Sequence, residues 1–186
     1  VDYREWSIGF IDQVRELDGP IVEMGVAEGF LTIPMARHLK ATGSKKKILA
    51  FDTFAGFPYD GLPEESALRK GGWCHPLEKI QTLIAAEDLG DIIVPVVGMI
   101  QDTLPTMPAD LKFSYVWVDM DLWESTVCAC RYLNDHVLSG GVVGFHDWEH
   151  PHCPLVRKAI EETLDYSKFE LIFTAPLSVF FRRKPA

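Results

Sequence analysis

Apolar residues along the chain recur at two periods, and the alternation between them predicts the architecture. Tyr3, Trp6, Phe10, Val14 and Leu17 fall at helical spacing and stop at Asp18-Gly19-Pro20, predicting an amphipathic N-terminal helix within residues 1–19. A short apolar run, Ile21, Val22 and Met24, then meets Gly25, and a helical pattern starts again from Ala27 and continues through Leu31, Met35, Ala36 and Leu39 to Gly43. Strand, tight turn and helix are the reading of Pro20 to Thr32. Further buried strands are predicted at Lys47–Asp52, Ile92–Val97, Phe113–Val118 and Gly140–Phe145, with helices at Leu77–Leu89, from Asp121 to about Leu138, and at Leu155–Leu164 with Pro154 in the first turn. Asp121 followed by Glu124 has the spacing of a helix capping box.

Phe169–Thr174 and Ser178–Arg182 are two more apolar strands, separated only by Ala-Pro-Leu. So short a link forces antiparallel pairing, because a parallel return needs a crossover of about a dozen residues or more. The prediction is an α/β chain with a mostly parallel sheet of seven-strand type, helices on both faces and an antiparallel strand at its end. Residues 53–76 interrupt the periodicity with four glycines and are too long for an ordinary connection, which marks them as a lid loop. Phe54, Phe57, Tyr59 and Trp73 supply it with aromatic side chains that either wall a ligand or patch the core.

Candidate chemistry collects where these strands end. Glu23 closes the first strand, Gly25 suits the sharp turn, and Gly29 leaves the following turn without a side chain. A carboxylate beside free amide donors suits a ligand carrying both a cation and hydroxyls, and S-adenosylmethionine is one. The dinucleotide fingerprint fits worse, since its second and third glycines would fall on Ala27 and Phe30. Asp52 ends the second strand, where an acid either binds ribose hydroxyls or caps the next turn. Asp119 ends the fourth strand and His146-Asp147 the fifth, so two strands deliver acids to one edge.

Composition narrows the reading. A chain of 186 residues with 47% apolar and 24% charged content is the size and balance of one globular domain, residues 1–186. Its formal charge of -9 argues against a nucleic-acid substrate, which needs a basic surface, and favours a small molecule. The basic run Lys45–Lys47 reads as a solvated turn. Cys74, Cys128, Cys130 and Cys153 form no C-x-x-C pair, which fits reduced thiols and a cytoplasmic location. No apolar run approaches the roughly 20 residues of a membrane span, and no signal-peptide pattern opens the chain. The start at Val1 rather than Met is the expectation of a trimmed or partial chain, and association into a homo-oligomer is left open.

Glu23-x-Gly25, F-D-T-F-A-G-F-P (51–58), G-M-I-Q-D-T-L-P (98–105), D-M-D-L-W-E-S-T (119–126) and G-G-V-V-G-F-H-D-W (140–148) occur in the order and spacing of one family. The chain resembles class I S-adenosylmethionine-dependent methyltransferases of the macrocin O-methyltransferase type, and relatives with a His-Asp pair. The resemblance implies a Rossmann-like fold and methyl transfer to a hydroxyl of a sugar or other small natural product, aided by a divalent cation, Mg2+ or Mn2+. It places Glu23, Gly25, Gly29, Asp52, Thr53 and Phe54 at cofactor positions, with Gln101 and Asp102 near the adenine. Asp119, His146 and Asp147 fall at the metal positions, with Asp119 and His146 as the catalytic pair.

His146 departs from the macrocin type, which carries a second aspartate there. Imidazole suits manganese, iron or zinc better than magnesium, so His146 has three open readings: metal ligand, general base, or partner of Asp147 alone. His150, His152 and Cys153 crowd the same loop as substrate contacts or as a surround to the metal ligands. The alternatives to the metal-assisted enzyme are a metal-free methyltransferase using His146 as base, and a cofactor-binding module without activity.

Overall fold

The computed structural model describes residues 2–185; Val1 and Ala186, the outermost residues of the predicted span, lie outside the described residues. The strands are β1 (Ile21–Met24), β2 (Ile48–Asp52), β3 (Ile93–Val97), β4 (Phe113–Val118), β5 (Val137–Phe145), β6 (Phe169–Ala175) and β7 (Ser178–Arg183). They form a seven-stranded sheet in the order β3-β2-β1-β4-β5-β7-β6. β1 to β5 pair in parallel, and β7 runs antiparallel to both β5 and β6.

The side chains of β4 divide between two cores, and all six of its residues are buried. Tyr115 and Trp117 join the cluster covered by α1 (Tyr3–Gln13), α2 (Thr32–Ala41) and α3 (Leu77–Ala86). Phe113, Val116 and Val118 join the opposite cluster, covered by α4 (Ile100–Thr103), α5 (Trp123–His136) and α6 (Val156–Thr163). A parallel strand with helices on both faces has no solvated side, which is why its sequence reads as an apolar run broken only by Ser114. Each large side chain so buried contributes about 1.5–3 kcal/mol.

Several predicted boundaries shift for local reasons. The first helix stops at Gln13 rather than Leu17, and the rest of that pattern is turn. α2 starts at Thr32 and not at Ala27, because Ala27 (φ 48°) and Gly29 (φ 83°) are left-handed and cannot join a right-handed helix. The Asp121–Glu124 capping box does not form. Leu122 is the N-cap of α5, Asp121 is left-handed at φ 58°, and the amide of Trp123 donates instead to Glu65 Oε1 at 2.7 Å. Pro154 precedes Leu155, the N-cap of α6, so it lies outside the helix. The two last strands pair antiparallel through a turn at Pro176–Leu177, but β7 lies inside the sheet and β6 forms the edge. The first four residues of β7 are all buried between its two neighbours, whereas four of the seven residues of β6 are exposed at the edge.

Residues 53–76 fold as a loop with its own bonds. The amide of Phe57 donates to Gly72 O and that of Gly71 to Phe57 O, each at 2.9 Å, and a 3-10 turn forms at Pro63–Glu65. Buried Glu65 also accepts from the amide of Leu62 at 3.1 Å, and Tyr59 Oη lies 2.7 Å from Ser125 Oγ, so the loop is tied to the start of α5.

Candidate active site

The carboxyl ends of β1, β2, β4 and β5 open into a cavity of about 360 Å³. At its floor Gly25 (φ 92°) touches the exit of β4 so closely that a Cβ there would sit 1.9 Å from the carbonyl oxygen of Asp119. Only glycine fits that contact. Asp52 then ties the neighbouring turns together: its Oδ2 accepts from the amides of Val26 at 2.7 Å and Ala27 at 2.9 Å, and its Oδ1 from the amide of Phe54 at 2.8 Å. Gly25, Ala27, Asp52, Thr53 and Gln101 line this half of the cavity.

The other half is acidic. Asp119, Asp121, His146, Asp147 and His150 all line it. His146 Nδ1 stands 3.0 Å from Asp147 Oδ1 and 3.4 Å from Asp119 Oδ1, and one ligand atom from each of the three lies within 4.8 Å of the others. Burial alone would depress the imidazole; the two carboxylates outweigh it and hold His146 up at about 10. Burial raises Asp119, against the pull of His146. Asp147 goes the other way, because the imidazole overcomes its burial and keeps it ionised. Asp121 is pushed up to about 8 by burial and then by the charges of Asp119 and Asp147. Asp147 is 4% exposed, and its Oδ2 has no hydrogen-bond partner.

Aromatic rings complete the walls. Tyr3 stacks on Trp117 with centroids 5.5 Å apart and leans on His146 at 5.3 Å, so the N-terminal helix covers the acidic half. Phe30 (55% exposed) and Trp73 (67% exposed) stand at the rim.

Four residues expected at the cofactor do not line the cavity. Glu23 was expected to point into the crevice, but strand alternation turns it to the face of Ile21, where it is 2% exposed and accepts from Thr32 Oγ1. Burial raises its carboxyl well above the usual range. A Cβ on Gly29 would meet Ile33 and Ile80 at 3.2 Å, so this glycine serves packing between α2 and α3. Phe54 is buried in the α1–α3 core, and Asp102 is exposed on α4. Conversely, Asp121 enters the cavity although its spacing suggested a cap. Its signal in the sequence is Asp119-Met-Asp121 at a strand exit, where two acids one residue apart turn toward one edge.

A parallel sheet with a reversed β7, an acid at the end of β2 and a ligand-sized cavity over the strand ends together define the class I, S-adenosylmethionine-dependent methyltransferase fold. Residues 10–182 match the model of the macrocin-O-methyltransferase (TylF) family, and the chain belongs to that family. It is 30% identical over 144 residues to the 8-demethyl-8-(2,3-dimethoxy-alpha-L-rhamnosyl)-tetracenomycin-C 4'-O-methyltransferase of Streptomyces olivaceus, covering 73% of this chain and 55% of that protein. The chain thus spans about half the length of that curated relative. The structure of the O-methyltransferase NovP superposes with a TM-score of 0.83 at 25% identity, over 98% of this chain and 78% of NovP. The calicheamicin methyltransferase CalS11 gives a TM-score of 0.83 at 21% identity, over 97% of this chain and 78% of CalS11, which is a likeness of fold. No helix among the described residues is long and apolar enough to cross a membrane.

Proposed function

We propose that the chain is an S-adenosylmethionine-dependent O-methyltransferase for a hydroxyl of a sugar or other small natural product. The observation that carries this reading is the division of one cavity into a half walled by backbone turns and Asp52 and a half crowded with Asp119, Asp121 and Asp147. Methyl transfer needs both. The sulfonium is already activated, so the protein must align the acceptor oxygen in line with the methyl group and take its proton.

Asp121 is the residue that takes the proton. It lines the cavity, its left-handed backbone turns it away from α5, and a carboxylate of raised basicity near neutral pH is matched to a hydroxyl. With no cation bound, His146 is held as an imidazolium between Asp119 and Asp147 and has no free lone pair for that task; as a cation ligand it would give up that proton and act as a neutral donor. Its part is to hold the two carboxylates in place. The carboxylates of Asp119 and Asp147 and the imidazole of His146 are a donor set that fits a divalent cation, and the nitrogen favours Mn2+ over Mg2+. Asp119, Asp147 and His146 would hold it, and when bound it supplies Lewis-acid polarisation of the acceptor hydroxyl. Thr53, Gln101 and Asp52 serve the cofactor, while Glu23, Gly29 and Phe54 support the turns that carry it. The loop 53–76 closes over cofactor and acceptor, with Phe57 and Trp73 as its inner wall.

Transfer of a labelled methyl group from S-adenosylmethionine to a rhamnosylated polyketide tests the reaction. Activity should fall on chelation and return with Mn2+, and Asp119→Asn should remove the chelator-sensitive part while S-adenosylhomocysteine binding stays within a few-fold. Binding of NAD but of neither S-adenosyl compound would sink the methyltransferase reading. Full activity in excess chelator would leave the metal out.

A further inference from the structure

Beyond the acids that face the acceptor, the turn after β5 gathers a second set of donors. The amide of His150 donates to Asp147 O and that of Cys153 to His150 O, each at 3.0 Å, so two successive turns carry Asp147, His150 and Cys153 at a spacing of three residues. One ligand atom from each lies within 4.8 Å of the others. Asp121 stands beside the group, its Oδ1 accepting from Cys153 Sγ at 3.4 Å. The set is a carboxylate pair, an imidazole and a sulfur, contributed by the exits of β4 and β5.

We propose that Asp121, Asp147, His150 and Cys153 form a binding site for a thiophilic divalent transition metal, Zn2+ in the first instance, which shares only Asp147 with the carboxylate-and-imidazole set of Asp119, His146 and Asp147. Four donors of mixed N, O and S type suit zinc, and the sulfur excludes magnesium. A second observation points to a cation. Asp147 Oδ1 faces His146, and its Oδ2 is buried with no partner, a lone pair set that a metal satisfies. Zinc ligand atoms stand about 3.3–3.8 Å apart at bond lengths of 2.0–2.3 Å, so small side-chain rotations close the site. His150 lines the cavity and gives the ion its entry path. On binding, the Sγ–H bond of Cys153 breaks, its proton leaves to solvent and the Sγ–metal bond forms, with no change of oxidation state.

Both donor sets use Asp147, so the two cations exclude each other. A soft metal at this site removes Asp121 and Asp147 from the acceptor side and acts as an inhibitor. The experiment uses Co2+ as a visible substitute for zinc and does not depend on methyl transfer, so its failure is distinct from failure of the methyltransferase reading. Metal-free protein, kept reduced, is titrated with Co2+ and followed by near-ultraviolet thiolate-to-cobalt absorption. One equivalent should develop the band and Zn2+ should erase it. Cys153→Ser should abolish the band, whereas Cys74→Ser, at the exposed cysteine of the loop, should keep it. His150→Ala, on the surface turn, should weaken Co2+ binding by about tenfold or more. No band in the parent, a band that survives Cys153→Ser, or unchanged Co2+ affinity in His150→Ala would each overturn the site.

Discussion

The two halves of the cavity hold acids in opposite ways. On the β1–β2 side Asp52 accepts from three backbone amides, so its charge is spent on the shape of two turns. On the β4–β5 side Asp119, Asp121 and Asp147 face one another with a single imidazole between two of them, and a buried oxygen of Asp147 has no donor at all. A carboxylate bonded to rigid amides keeps geometry; carboxylates crowded in a partly dry cavity keep unbalanced charge that a ligand relieves. In the proposed function the first half holds the cofactor in place and the second acts on the acceptor.

The largest effect expected from breaking this contrast is at Asp121. Asp121→Asn should cut kcat by about 10² to 10⁴, the usual loss of a general base, while calorimetry finds S-adenosylhomocysteine affinity nearly unchanged. Equal losses in both would merge the halves into one.

Gly25→Ala strikes the contact between them. The added Cβ meets the backbone carbonyl of Asp119, which has no rotamer to yield, and φ 92° is strained for alanine. A cost above about 3 kcal/mol is expected, read as a lowered urea midpoint, together with weakened binding of S-adenosylhomocysteine. A variant as stable as the parent would show that the β1 turn moves freely against β4.

Asp52→Asn sharpens the contrast from the cofactor side. Three charge-assisted bonds become neutral at a cost of about 1.5–3 kcal/mol, and cofactor affinity should drop by about tenfold while kcat at saturating cofactor holds. A fall in kcat with unchanged affinity would move Asp52 to the reacting side.

The smallest effect is at Glu23, an acid that belongs to neither half. Its folded-state carboxyl is raised by burial, so the stability it contributes is complete below its unfolded pKa and lost as pH rises toward the folded value. Glu23→Gln removes that loss. Chemical denaturation should find the variant gaining steadily on the parent as pH rises from about 5 to about 8. A difference independent of pH would mean that Glu23 folds in already ionised.

The strands were legible because burial writes itself into sequence. β1, β4 and the Gly141–Phe145 end of β5 are buried on both faces, and a mostly apolar run ending at Gly25, Asp119 or His146 announces both the strand and the side of the sheet on which its chemistry falls. The three-residue link before Ser178 likewise fixed the reversal of β7 through chain reach alone. The order of the last two strands was not local information. It is visible only in the sheet, where β7 pairs with both β5 and β6 and buries its first four residues, whereas β6 pairs with β7 alone.

Site residues divide along the same line. That Asp119, His146 and Asp147 meet at one edge follows from parallel strands ending together, and the sequence alone determined it. The directions of Glu23, Gly29 and Asp121 did not follow. Pattern finds which residues stand at a turn, but a side chain's direction there depends on φ and on what is already packed. Glu23 is drawn inward by Thr32, and Gly29 is filled over by Ile33 and Ile80. Asp121 is released from α5 because Glu65, from a loop nearly sixty residues earlier in the chain, takes the amide it would have capped. Contacts of that range exist only once the sheet has formed, so only the tertiary structure decided them.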